Sequence, residues 1–278
     1  MNTFRRTIPI LILFTGISLF NINCITDDEP AWNNPFYTED PHFIPIRTEL
    51  IMGPENSEEV NNFPVRFEWV SNPGVSEFNF SLDESNWSGW GLNNFVEYDL
   101  LDEGDHRFVV KGRYPTLIEE EIPIQRDFTI NAVEGPALMF YPRNVSVSIG
   151  MPFSIDLHIE EVDDLMGIYA EIVFDAMILG FDGYQVLDDS SSFLRTTGGQ
   201  VVSFIEMDIS SGNIIANIGI VTGNPPGVNG SGQVLRLNFT ALLNQNTEIY
   251  MRETSRMTKS DLSTIRRIKL VSGFVNVE

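Results

Sequence analysis

The sequence predicts an all-β chain folded as two β-sandwich domains. Four runs in its second half, Phe153–Ile159, Ile168–Phe174, Ile214–Ile220 and Leu235–Ala241, place an apolar residue at every second position. A pleated strand points alternate side chains to opposite faces, so each run buries one face and wets the other. Gly, Asn and Pro turns separate the runs, as between the strands of a two-sheet sandwich. In the first half, shorter alternating runs recur, and no apolar helical period outlasts about one turn.

In chain order, residues 1–23 read as a signal peptide. Arg5 and Arg6 precede the uncharged apolar run Ile8–Phe20, which is short for a membrane span and lies at the N-terminus. Cys24 is the only cysteine, so no intrachain disulfide forms and the fold rests on its apolar core. It directly follows the run and precedes the acidic Asp27-Asp28-Glu29. This junction resembles a bacterial lipoprotein signal, in which the cysteine becomes the first mature residue and carries lipid. The resemblance implies lipid attachment at Cys24. It also implies a place in the bacterial cell envelope, as an outer-membrane lipoprotein or a secreted, cell-surface protein. Asn21, Ile22 and Asn23 stand where that family has Leu, a small residue and Gly or Ala. An ordinary signal peptide with an incidental cysteine is the other reading. Residues 24–41, rich in Asp, Glu, Asn and Pro, read as a flexible tether.

Residues 42–131 form the first predicted sandwich. Phe63, Val65, Phe67 and Trp69 share one face of a strand; Phe78, Phe80 and Leu82 share another. Gly104–Val110 follows the turn Asp102-Glu103-Gly104, and Phe128–Ile130 closes the unit. The strand Phe67-Glu68-Trp69, the segment Trp87-Ser88-Gly89-Trp90 and the corner Leu101–Phe108 resemble bacterial immunoglobulin-like or fibronectin-III-like modules. That resemblance implies a spacer or interaction module with a Trp of the early strand in its core. Trp87 and Trp90 are expected to fill the core too, one or both, with sugar stacking as the alternative. His106 alternates with Phe108 and is expected to be structural.

Residues 137–278 form the second. Ile149–Leu157 opens on a turn before a strand, Asp164–Asp175 follows, Gly230–Phe239 runs from a Gly-Ser-Gly turn, and Gly273–Val277 ends the chain. In this order the segments resemble a cohesin domain. The resemblance implies a jelly-roll sandwich whose role is to dock a dockerin, a calcium-loaded module on enzymes of polysaccharide degradation. The docking sheet of that family includes the strand ending at Phe174-Asp175, which often presents Asn and Asp at its start. Gly167 and Tyr169 stand there instead. The outward positions Tyr169, Glu171, Val173, Ile215 and Asn217 are the candidate partner contacts. Of these, Tyr169, Val173 and Ile215 make with Val221 an apolar row that calls for a partner or for cover by the loop Asp188–Gln200.

Charge narrows the function. With 39 acidic and 17 basic residues the chain carries −22, which disfavours nucleic acid and, without an anchor, anionic membrane surfaces. The histidines, His42, His106 and His158, lack ligand spacing, and no nucleophile elbow or phosphate loop occurs. The chain therefore reads as a non-catalytic binding protein. No cofactor is expected, and calcium belongs on the partner, with Asp188-Asp189 a minor alternative site. A dockerin-bearing protein is the expected partner. A carbohydrate-binding module or a surface protein without a discrete ligand are the rival readings.

Overall fold

The computed structural model describes residues 34–221 and 226–278; residues 1–23, expected from sequence to be a signal peptide, and Cys24 lie outside them. Two compact units divide the chain, at Ile44 and Pro45. In the described part of the first, Asp40 closes a turn. Its carboxylate accepts the N–H groups of His42 (2.7 Å) and Asn34 (2.9 Å), which lowers its pKa.

The second unit is built of strands. The first seven are β1 (Thr48–Met52), β2 (Glu58–Val60), β3 (Val65–Ser71), β4 (Glu77–Leu82), β5 (Phe95–Tyr98), β6 (Gly104–Arg113) and β7 (Ile124–Ile130). They form two sheets, β1-β3-β5 and β2-β7-β6-β4, antiparallel except for β2 beside β7. Alternation aims Val65, Phe67 and Trp69 of β3 at Phe108 and Val110 of β6 and at Phe128 and Ile130 of β7. Phe67 stacks on Phe108 at 4.0 Å, and Trp69, wholly buried, lies 5.5 Å from Phe80. Trp69 thus fills the core.

Trp87 and Trp90 do not, contrary to the expectation from sequence. Their segment is tied along the edge of β4 by Ser88 N–H to Phe80 O (2.8 Å) and Gly91 N–H to Phe78 O (3.0 Å), which keeps it outside. Trp87 is 43% exposed with the Lys111 ammonium 4.9 Å over its ring, and the Arg113 guanidinium lies 4.4 Å over Trp90.

His106 is buried and structural. Its Nδ1 lies 2.6 Å from Asp83 Oδ2 and its Nε2 2.8 Å from the Asp102 carbonyl oxygen. Two acceptors at two ring nitrogens favour the imidazolium, which alone donates from both. Burial opposes the charge, but these bonds and the nearby carboxylates outweigh it and raise the His106 pKa.

The remaining strands are β8 (Ala137–Tyr141), β9 (Asn144–Val147), β10 (Pro152–Val173), β11 (Leu179–Val186), β12 (Gln200–Asp208), β13 (Asn213–Val221), β14 (Val228–Ala241), β15 (Thr247–Met251), β16 (Arg256–Lys259), β17 (Lys269–Val271) and β18 (Gly273–Val277). The 22 residues of β10 serve two layers. Its first half lies between β14 and β8, with β11 beyond β14 and β17 beyond β8. Its second half pairs with β13 on one side and with β16 and β15 on the other. Beyond β13 lies β12, and β15 continues to β18 and β9.

Between the halves the register with β14 slips from Ile159 to Leu165, and Glu161 and Asp164 take positive φ of 48° and 60°. Such bulges bend a strand and let it change sheets. Asp164 holds the bend: its carboxylate accepts the Gly227 N–H (3.0 Å) and the Ser260 hydroxyl (2.8 Å), and its own N–H donates to Asn229 (2.7 Å).

Inward side chains of both layers form one core. Phe239 of β14 lies 5.1 Å from Phe174, 5.4 Å from Phe181 and 5.7 Å from Phe153. A polar joint connects this sandwich to the first. Glu103 accepts the N–H groups of Ala132 and Val133, Asp102 accepts that of Arg143, and the Arg143 guanidinium lies 3.9 Å from Glu103. Burial raises the pKa of both carboxyls and lowers that of Arg143.

Candidate protein-docking face

The second half of β10 sits inside a four-strand face, β12-β13-β10-β16, whose inner side chains are core. Ile168, Ala170 and Ile172 of β10 and Ile214, Ala216, Ile218 and Ile220 of β13 are buried, so the intervening residues point outward. Pairing sets them in rows. Phe204, Asn217, Tyr169 and Arg256 make one; Val202, Gly219, Gly167 and Thr258 make the next. Glu206, Ile215 and Glu171 make a third, and Asp208, Asn213, Val173 and Tyr250 a fourth. All five residues singled out by sequence, Tyr169, Glu171, Val173, Ile215 and Asn217, lie on this face.

Their surroundings differ. Glu171 is held within the sheet: its carboxylate accepts the Thr254 hydroxyl (2.6 Å), pairs with Arg252 (2.9 Å), and its N–H donates to the Ser255 hydroxyl (3.0 Å). The Tyr169 ring carries the Arg256 guanidinium 4.2 Å above it, so that face of the ring is covered. Ile215 and Val173 are half-buried among their row neighbours.

The second row makes a depression of about 410 Å³. Gly167 and Gly219 form its floor, since neither adds a side chain. Val202 (50% exposed) and Phe204 (62%) wall it on the β12 side, with Tyr169, Arg256 and Thr258 opposite. A Cβ on Gly167 would meet Thr258 Oγ1 at 2.6 Å, whereas one on Gly219 would find its nearest atom, Val202 Cγ2, at 3.8 Å. The β12 wall of the slot is apolar, and the opposite rim carries the Arg256 guanidinium.

The loop Asp188–Gln200 does not cover this face. Leu194 is buried in the core, and Phe193 closes on β14, where a Cβ on Gly232 would lie 2.4 Å from it. Asp188 pairs with Arg195 (3.7 Å), and the Asp189 carboxylate is taken up by Ser191. Among the described residues no cluster of three or more His, Cys, Asp or Glu is placed to hold a metal ion.

Sequence reasoning missed β12 and β16. In β12, Val201 and Ile205 are half-buried while Val202, Phe204 and Met207 are exposed, so apolar residues occupy both faces and no alternation shows. In β16, Met257 between Arg256 and Thr258 is the only signal, too short to read.

No family profile and no curated protein matches the chain. Solved structures do. About half of it (52%) superposes on the whole of the sixth cohesin of scaffoldin B from Acetivibrio cellulolyticus, solved with a Cel5 dockerin, at 15% identity and a TM-score of 0.42. A non-cellulosomal cohesin from Archaeoglobus fulgidus covers 51% of this chain and 90% of its own length, at 12% identity and a TM-score of 0.40. The cohesin of a Clostridium thermocellum OlpA–dockerin complex covers 51% and 98%, at 13% identity and a TM-score of 0.41. Each of these three similar structures is a cohesin domain.

Proposed function

We propose that this protein is a non-catalytic surface scaffold. Its second sandwich docks a protein partner on the β12-β13-β10-β16 face, and the first, residues 42–131, spaces that face from a lipid anchor at Cys24. The apolar slot on an otherwise solvated sheet supports the reading most: Phe204 and Val202 stand exposed beside a glycine floor, a cost in water that a partner relieves. The motif order that resembles cohesins makes a dockerin-like module on a polysaccharide-degrading enzyme the partner class, with calcium carried by that module.

Stacking on sugar rings is the poorer reading. Tyr169 lies under Arg256, Tyr184 belongs to β11 on the other layer, and Trp87 and Trp90 lie under Lys111 and Arg113.

The test immobilises the purified protein and challenges it with secreted proteins of its source organism, and separately with insoluble glucan and chitin. A defined, calcium-dependent partner lost with Phe204→Asp and kept with Tyr184→Asp is the expected result. Retention on polysaccharide alone would falsify the docking reading. Anchoring is tested apart: Cys24→Ser should abolish metabolic labelling with an alkyne fatty acid.

A further inference from the structure

The rim of the slot carries an unusual charge. Among the described residues four arginines have no carboxylate within ion-pair distance: Arg47, Arg256, Arg266 and Arg267. Three of the four lie on β16 and on the segment that returns alongside it after the turn at 260–262. The placement is fixed by backbone. Thr258 bridges Thr264 and the Ile265 N–H donates to Met257 O (2.8 Å), so the register brings Arg266 alongside Arg256. Met257 and Ile265 are buried, so alternation turns both arginines outward. Like charges side by side across strands repel. The chain has 39 acidic residues with which to neutralise 17 basic ones, and yet this pair is left without one. Arg256 also lines the slot and is held over Tyr169.

From this we infer that the slot recognises an acidic polypeptide segment. One apolar side chain enters between Phe204 and the glycine floor, and neighbouring carboxylates meet Arg256 and Arg266. The inference rests on the docking reading and specifies its partner. Charge complementarity argues for it: on a chain of net charge −22, two adjacent arginines without carboxylate partners attract a segment of the sign that the chain as a whole repels. Charged rims of this kind set register and approach rate as much as affinity.

The probe is a set of three 14-residue peptides of identical Phe and Leu content, bearing four Glu, four Gln or four Lys, titrated by fluorescence anisotropy against the purified protein. At about 50 mM NaCl the Glu peptide should bind at least about tenfold tighter than the Gln peptide, an advantage that shrinks severalfold at about 500 mM. The Lys peptide should not bind. Arg256→Glu with Arg266→Glu should invert the Glu and Lys order. Gly219→Leu, which fills the slot at a position with room for a side chain, should weaken every peptide.

Equal binding of the Glu and Gln peptides, still lost with Gly219→Leu, overturns the inference and leaves the docking reading standing. Failure of all three peptides overturns the inference as well. So does binding of an acidic polysaccharide, polygalacturonate, in place of the Glu peptide. Loss of partner capture with Phe204→Asp remains the separate arbiter of docking.

Discussion

Gly167 and Gly219 face each other across the slot floor, and they tolerate a side chain differently. Gly167→Ala drives a methyl against Thr258 Oγ1, and overpacking of that kind costs about 1–3 kcal/mol. Thr258→Ala removes the obstructing hydroxyl, so urea denaturation should find the Gly167→Ala, Thr258→Ala double variant more stable than Gly167→Ala with Thr258 retained. Gly219→Ala should stay within about 0.5 kcal/mol of the parent, as surface changes do. At this scale the pleat was readable: alternation from Ile168 and Ile214 located the outward residues Tyr169, Glu171 and Val173 of β10 and Ile215 and Asn217 of β13. What each outward side chain touches was not. Glu171 looked like a free contact, but its partners Arg252 and Thr254 lie more than eighty residues along the chain, where no local pattern connects them.

The strands that carry core residues determine how each sandwich responds to change. Phe239 of β14 lies among Phe153, Phe174 and Phe181, and Phe239→Ala should cost about 3–5 kcal/mol. Chemical denaturation checks this, and a value under about 1 kcal/mol would contradict the described core. The corner leading into β6 gives a pH dependence. The His106 pKa is raised in the fold, so its contribution is complete below the ordinary histidine value and is lost as pH rises through the folded one. Asp83, its partner, is lowered: burial pushes it up, but the bond from His106, the Arg107 N–H and the charge of His106 together outweigh that. Its contribution is lost only as pH falls through its folded value. The melting temperature should therefore decline as pH rises from about 6 to 9, and His106→Gln should flatten that decline. Strands with one dry face, such as β3, β10, β13 and β14, were legible. The edge strand β12 was not, because it is apolar on both faces. The Trp87–Trp90 segment misled because large aromatics usually mark a core, and here the space was already filled by Trp69, Phe67 and Phe108.

Taken whole, the molecule is strongly negative, and its carboxylates repel one another at low ionic strength. Raising NaCl from about 20 to 300 mM, which shortens the screening length well below the size of a domain, should raise the melting temperature by a few degrees in calorimetry. The all-β class and the two apolar cores could be read from strand patterning. The polar joint of Asp102, Glu103 and Arg143 could not, since it depends on how β6 and β8 meet. The doubled role of β10 reaches furthest. Its outer end forms the candidate docking wall and its inner end is the middle strand of the opposite layer, so one covalent ribbon ties a ligand's footprint to the far side of the sandwich. Occupancy of the wall should slow amide hydrogen exchange in residues 152–160, beyond the bend and remote from any bound segment.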